Sequence, residues 1–234
     1  MPSKYNKRQT RANFGRSNDF AYESRSESLE NKDFVWYDFP FTIGCTIFLV
    51  AIHFIFWISA PTDILFTIPT KYVELFAQYN PAVIFGGQWY RLITSIFIHE
   101  NIIHLGGNLL FFVIFSLRLE ELKGWKVVFI VFMISGLVGN LLTILVFWEA
   151  GIVSLGASGA VNGVFIANLV TMRKTYDRGA LTMLAFLVIF ASFTISGSSS
   201  TNAIAHIGGL IGGAASMLFI EKFEKRYGRV FSTR

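Results

Sequence analysis

Six long apolar runs dominate the chain, and all but the first two are separated by short polar links. Crossing hydrocarbon takes about 20 residues of helix, a length that residues 41–60, 127–148 and 203–220 approach or meet without interruption. Residues 180–195 are also apolar throughout, whereas 92–117 and 152–172 are apolar runs broken by polar side chains. None of the six carries an internal Lys or Arg. The pattern predicts an all-α integral membrane protein, a bundle of six transmembrane helices. Runs close to the minimum length predict that some helices are short, kinked or replaced by loop at one end. The 61–91 link is too long and too apolar for a solvated loop, holding Ile64, Leu65, Phe66, Ile68, Val73, Leu75, Phe76, Val83, Ile84 and Phe85. It predicts an interfacial loop or helix between helices 1 and 2.

This divides the chain into a polar, basic tail over 1–40, a single membrane domain over 41–220 and a second basic tail over 221–234. The first 33 residues contain no apolar core of the kind a signal peptide needs, so a disordered tail is expected there in place of a cleaved leader. No soluble domain and no convincing repeat is apparent.

Composition agrees with the pattern: 53% of residues are hydrophobic and 15% charged, against about 25% charged in soluble domains. The net charge of +5 would invite a nucleic-acid partner in a soluble protein. Placement excludes it. All but Lys71 and Arg91 of the 20 basic residues fall in the two tails and in the links 118–126 and 173–179, so the alternate links are nearly empty of Lys and Arg. By the positive-inside rule both termini are cytoplasmic, and segments two, four and six run from outside to inside. Lipid headgroups of the bilayer are the expected neighbours of the basic residues. The single cysteine, Cys45, makes neither an intramolecular disulfide nor a metal cluster.

Polar side chains in hydrocarbon are costly and mark candidate sites. His99, His104 and Asn108 lie early in segment two, Ser158 and Asn162 in segment four, and His206 in segment six. All three segments enter from outside, so these residues share a depth below the outer face. Ser158 sits in Gly156-Ala157-Ser158-Gly159, where small neighbours open the hydroxyl to close approach. It needs a base, and His206 stands at matching depth in Ala205-His206-Ile207-Gly208-Gly209. Gly209 and Gly213 are four apart, as are Gly159 and Gly163, so segments four and six can pack closely and bring Ser158 and His206 together. His104 and Asn108, about 40° apart on a helix, can converge with the Ser158 N–H as an oxyanion hole. No acidic residue is placed to orient His206, so a dyad is expected. His99 and His104 mimic a zinc-protease motif but are five apart, about 140° around a helix, so no metal or other cofactor is expected. Taken singly, each residue has a plainer role: glycine faces pack helices, Ser158 can bond back to its helix, His53 can tie two helices, His99 can sit at the interface, and Asn140, Asn162 and Asn168 can make structural bonds.

These residues also carry a resemblance. Gly87-Gln88-Trp89-Tyr90-Arg91-Leu92, His99-x4-His104-x3-Asn108, Leu119-Glu120, Gly156-Ala157-Ser158-Gly159 and Ala205-His206-Ile207-Gly208-Gly209 occur in the order and spacing of rhomboid intramembrane serine proteases, over about residues 40–220. The resemblance implies a six-helix rhomboid-like fold with a water-filled site open to the outside. Ser158 would be the nucleophile, His206 the base, and His104, Asn108 and backbone at Ser158 the oxyanion hole. Arg91 and Glu120 resemble the family's pair that ties the 61–91 structure to the end of segment two. Asn162 stands where rhomboids commonly carry an aromatic residue four places after the serine. Inactive relatives lack the serine or histidine, or carry proline just before the serine; this chain has Ala157, Ser158 and His206.

The expected activity is endoproteolysis of membrane proteins in or near their transmembrane helices, and the resemblance implies preference for a small residue at the cut and for locally unstable helices. The rival readings are an inactive rhomboid-like protein that binds such helices, and a transporter or channel. A transporter would show charged midplane residues and paired broken helices. The expected location is a bacterial plasma membrane.

Overall fold

A computed structural model describes residues 36–61, 65–173, 202–228 and 230. Helix α1 spans Pro40–Ile58. Proline opens it, where the missing N–H costs nothing. The 61–91 stretch then forms two short helices, α2 Thr70–Phe76 and α3 Asn80–Ile84, flanking a two-residue strand β1 Gln78–Tyr79. A one-turn helix α4, Arg91–Thr94, and a 3-10 turn Ser95–Phe97 follow. Helices α5 Ile102–Lys123 and α6 Trp125–Val146 are joined through Gly124 alone. Its φ of 87° is a left-handed conformation that lets one residue end a helix and reverse the chain. Strand β2, Val153–Ser154, pairs antiparallel with β1, Gln78 opposite Ser154. Helices α7 Ser158–Met172 and α8 Ala203–Tyr227 complete the described elements.

Four of these helices, α1, α5, α6 and α8, are long and apolar enough to span a bilayer. The chain is an integral membrane protein. The expected second segment begins later than its apolar run, because residues 92–101 are spent on α4, the 3-10 turn and the extended stretch that leads to Asn101. Asn101 stops that stretch by capping α5, its side chain accepting from the His104 N–H at 3.0 Å. The fourth segment is likewise shortened: β2 and the Gly156 turn occupy its first residues, leaving 15 in α7. At 1.5 Å per residue that helix is about 22 Å long, short of the roughly 30 Å hydrocarbon core. Helix α8 overruns its apolar segment through Tyr227, so the start of the expected C-terminal tail is helix. The expected fifth segment, 180–195, and the expected tail over 1–33 lie outside the described residues.

Helix α6 is the central element, with 56% of its apolar window buried against 22% for peripheral α1. It packs against α8 and α7, and α8 packs against α7. Gly139 and Gly208 make the α6–α8 contact possible: a Cβ on Gly208 would stand 2.7 Å from the Gly139 Cα. Between α7 and α8, Gly209 lies over Gly159 and Gly213 over Gly163, the two four-residue spacings meeting face to face. An aromatic cluster closes the other side, Phe112 lying edge-on to Phe41 and Phe132 at centroid distances of 6.1 and 5.3 Å.

Arg91 and Glu120 do not pair, contrary to expectation. They stand at opposite ends of the bundle, with the length of α5 between them. Arg91 donates to Gln88 Oε1 at 2.6 Å and to the carbonyls of Ala77 and Glu74 at 2.7 and 2.6 Å, gathering the carbonyl end of α2. Glu120, 1% exposed, accepts from the N–H groups of Phe41 and Thr42 at 3.0 and 2.9 Å and from the Thr42 hydroxyl. No side chain from Phe39 caps α1, so this carboxylate supplies the acceptor that the helix start lacks. Each residue therefore braces a different element, Arg91 the 61–91 stretch and Glu120 the entry to α1.

Candidate active site

Three helix N-termini meet at one end of the bundle. Ser158 is the first residue of α7, His206 the fourth of α8 and His104 the third of α5. The basic side chains Arg118, Lys123, Arg173, Lys222 and Lys225 belong to the opposite ends of the same helices. There Lys123 pairs with Glu224 at 3.1 Å and Arg173 with Glu221 at 2.6 Å, fastening α5 and α7 to α8.

His206 Nε2 and Ser158 Oγ are 2.7 Å apart, a hydrogen bond that crosses from α8 to α7. The glycine contacts just below hold it, since Gly159 follows Ser158 directly and Gly209 lies one turn beyond His206. A cavity opens beside the pair, lined by Ser158, His206, His104, Gly156, Ser154, Asn140 and Asn202 among others. Its enclosed space of about 20 Å³ exceeds the roughly 10–15 Å³ that one water needs, and the lining offers several polar partners.

The peptide that leads into Ser158 is pinned from the 95–99 stretch. Gly156 N–H donates to the Ser95 carbonyl at 2.8 Å, and Ala157 N–H donates to His99 Nε2 at 3.3 Å. Gly156 has a φ of 109°, and a Cβ there would stand 2.8 Å from His104 Nε2 and 3.8 Å from Asn108 Nδ2. Only glycine satisfies both the backbone and the space. His104 therefore faces the peptide before Ser158 from the cavity wall, with Asn108 one turn behind it. Asn108 Nδ2 gives one proton to the His104 carbonyl at 2.9 Å and is not part of the cavity lining.

The structure thus brings Ser158, His206, His104 and Gly156 to one cavity and sets Asn108 behind Gly156. Asn162 is 3% exposed, one turn into α7, and does not line the cavity. Asn140 donates to the Leu92 carbonyl at 2.8 Å and Ser95 Oγ at 3.0 Å, and Asn168 donates to the Phe115 carbonyl at 2.7 Å, both structural bonds of the kind expected. Of the two roles open to His99, the structure favours the one at the depth of Ser158 over the plainer one at the interface: it is 1% exposed and holds the Ala157 peptide. Its ring lies edge-on to His104 at a centroid distance of 5.2 Å. The signal was its depth, shared with His104 and Ser158.

Comparison with known proteins follows the same residues. The Rhomboid domain family model matches residues 86–223. The Bacillus subtilis protein YdcA, provisionally named a rhomboid protease, is 32% identical over 77% of this chain and 90% of its own length. RHOMBOID-like protein 6, mitochondrial, of Arabidopsis thaliana is 35% identical over 56% of this chain and 43% of its own length. Rhomboid-like protease 2 of Toxoplasma gondii is 31% identical over 70% of this chain and 58% of its own. The chain spans nearly all of the first relative and about half of the other two. The residues at the three helix N-termini all lie within the matched span, and the chain belongs to the rhomboid family.

Proposed function

We propose that the protein is an intramembrane serine endopeptidase acting on peptide bonds in or near transmembrane helices of other membrane proteins. The observation that carries this reading is the 2.7 Å contact between His206 Nε2 and Ser158 Oγ beside a cavity that can hold water. In the mechanism, Ser158 Oγ attacks the scissile carbonyl while His206 takes its proton, then returns it to the departing amine. Water enters next: its oxygen bonds to the acyl carbon while His206 takes a proton from it, and the bond to Ser158 Oγ then breaks as His206 returns that proton to the serine. The negative oxygen formed at each attack rests on the Ser158 N–H and His104, with Asn108, one turn behind, offering the Nδ2 proton that the His104 carbonyl does not take. Being at the start of α7, that N–H is free of an intrahelical acceptor, and the helix dipole favours the charge.

The proposed architecture has six transmembrane helices, with 61–91 at the outer interface. Both termini lie in the cytoplasm, supported by the basic residues at the ends of α5, α7 and α8 remote from Ser158. Similarity over nearly the whole length of a Bacillus relative supports a bacterial plasma membrane. Neither cofactor nor metal enters the mechanism. Cleavage of a model transmembrane substrate in detergent tests it: Ser158→Ala and His206→Ala should each abolish turnover, and undiminished turnover in either would refute the dyad. A rhomboid-like protein that only binds helices would retain substrate in a pull-down yet cleave nothing.

A further inference from the structure

Asn202 lies at the start of α8, lines the cavity with Ser158 and His206, and has its side chain engaged at both ends. Its Oδ1 accepts from the Ala205 N–H at 3.1 Å, capping the helix. Its backbone carbonyl accepts from the N–H of His206 itself at 3.2 Å, so the first turn of α8 hangs from this residue. The two Nδ2 protons point the other way, to Thr143 Oγ1 at 2.8 Å and to Ser154 Oγ at 3.1 Å. Thr143 lies near the end of α6 and donates to the Gly139 carbonyl at 3.0 Å, at the glycine against which Ala205 packs. Ser154 belongs to β2, four residues before Ser158, opposite Gln78.

We infer that Asn202 is a positioning residue for the proposed hydrolysis: its amide fixes the turn that carries His206 to the strand that leads to Ser158, setting the separation of the dyad. The inference rests on the Ser–His reading above. Two parts of one side chain divide the labour. The oxygen shapes the helix start, and the nitrogen sets where that start sits relative to β2 and α6. A residue serving only as a cap would be replaceable by any good cap, whereas a positioning residue would not.

Asn202→Ser separates the two, because serine caps a helix as well as asparagine but cannot reach both Thr143 and Ser154. The full-length protein in detergent should keep its thermal midpoint and its KM for a transmembrane substrate. Its kcat and its rate of Ser158 labelling by a fluorophosphonate should fall together, by roughly 10- to 100-fold, as expected for a displacement of under about 1 Å. Thr143→Val combined with Ser154→Ala removes the acceptors while leaving Asn202 in place, and should give the same fall. Adding Asn202→Ser to that pair should cost nothing more. Wild-type labelling by Asn202→Ser, or a fall in kcat that only follows a lowered thermal midpoint, would overturn the inference. If Ser158→Ala abolishes cleavage while Asn202→Ser is fully active, only the role of Asn202 fails; if Ser158→Ala still cleaves, the dyad itself fails.

Discussion

Substituting Gly209 by alanine tests whether helix contact sets the geometry of the candidate dyad. A Cβ at 209 would lie 2.9 Å from the Gly159 Cα and nearer still to the Gly159 carbonyl, where ordinary contacts begin at 3.4 Å. Both neighbours are backbone, so no side chain can turn aside. Helices α7 and α8 must separate by at least 0.5 Å against the Cα, and by more than about 1 Å once the carbonyl is cleared. Ser158 is adjacent to Gly159 and His206 is one turn from Gly209, so most of that separation reaches the 2.7 Å bond between them. A displacement of about 1 Å costs on the order of 100-fold in rate. Overpacking itself costs about 1–3 kcal/mol of stability, small enough for the bundle to fold. The assay is cleavage of a transmembrane reporter alongside a thermal melt, with purified protein in detergent. Loss of turnover of about 100-fold with a modestly lowered melt is expected. Wild-type turnover would refute the claim that this glycine contact sets the dyad separation.

Three further perturbations follow from the described contacts. Glu120→Ala leaves the Phe41 and Thr42 donors without their acceptor in a buried setting, each at about 1–3 kcal/mol, so a clear fall in the detergent melting temperature is expected, with Glu120→Gln milder. An unchanged melt in Glu120→Ala would contradict the capping role. Gly156→Ala puts a side chain 2.8 Å from His104 on a backbone with φ of 109°, so fluorophosphonate labelling of Ser158 should disappear while membrane insertion persists. His104→Ala should lower kcat by roughly 10²–10³-fold with KM little changed, as for loss of one oxyanion donor. A larger change in KM than in kcat would assign His104 to substrate binding.

Depth was the most legible property of the site. Hydrophobic runs and charge placement sufficed to put Ser158, His206 and His104 at one level, because helices that enter from one side share a register with the membrane. Glycine spacing went further and named the α7–α8 contact, since a four-residue period of small residues has one main use between helices. Helix starts were less legible. Residues 92–98 and 152–157 are as apolar as the helices they precede, and hydropathy cannot separate a buried extended stretch from a buried helix turn. Asn101 and Gly156 mark the true starts through hydrogen bonding and φ, local signals that an apolar average conceals. The Arg91–Glu120 pairing failed for a different reason. Opposite charge and family habit favoured contact, but helix length placed the two at opposite ends, each satisfied by backbone groups. His99 acts through the backbone N–H of Ala157 and Asn202 through the hydroxyls of Thr143 and Ser154, partners distant in sequence that no spacing rule encodes.

The central claim is that His206 activates Ser158 for attack on a peptide bond. Its most direct test is the rate at which a fluorophosphonate labels the purified, full-length protein, compared among wild type, Ser158→Ala and His206→Ala, with cleavage of a transmembrane substrate measured on the same preparations. The account predicts labelling and cleavage in wild type, neither in Ser158→Ala, and loss of both by several orders of magnitude in His206→Ala. Labelling that survives in Ser158→Ala, or cleavage at the wild-type rate in His206→Ala, would contradict it.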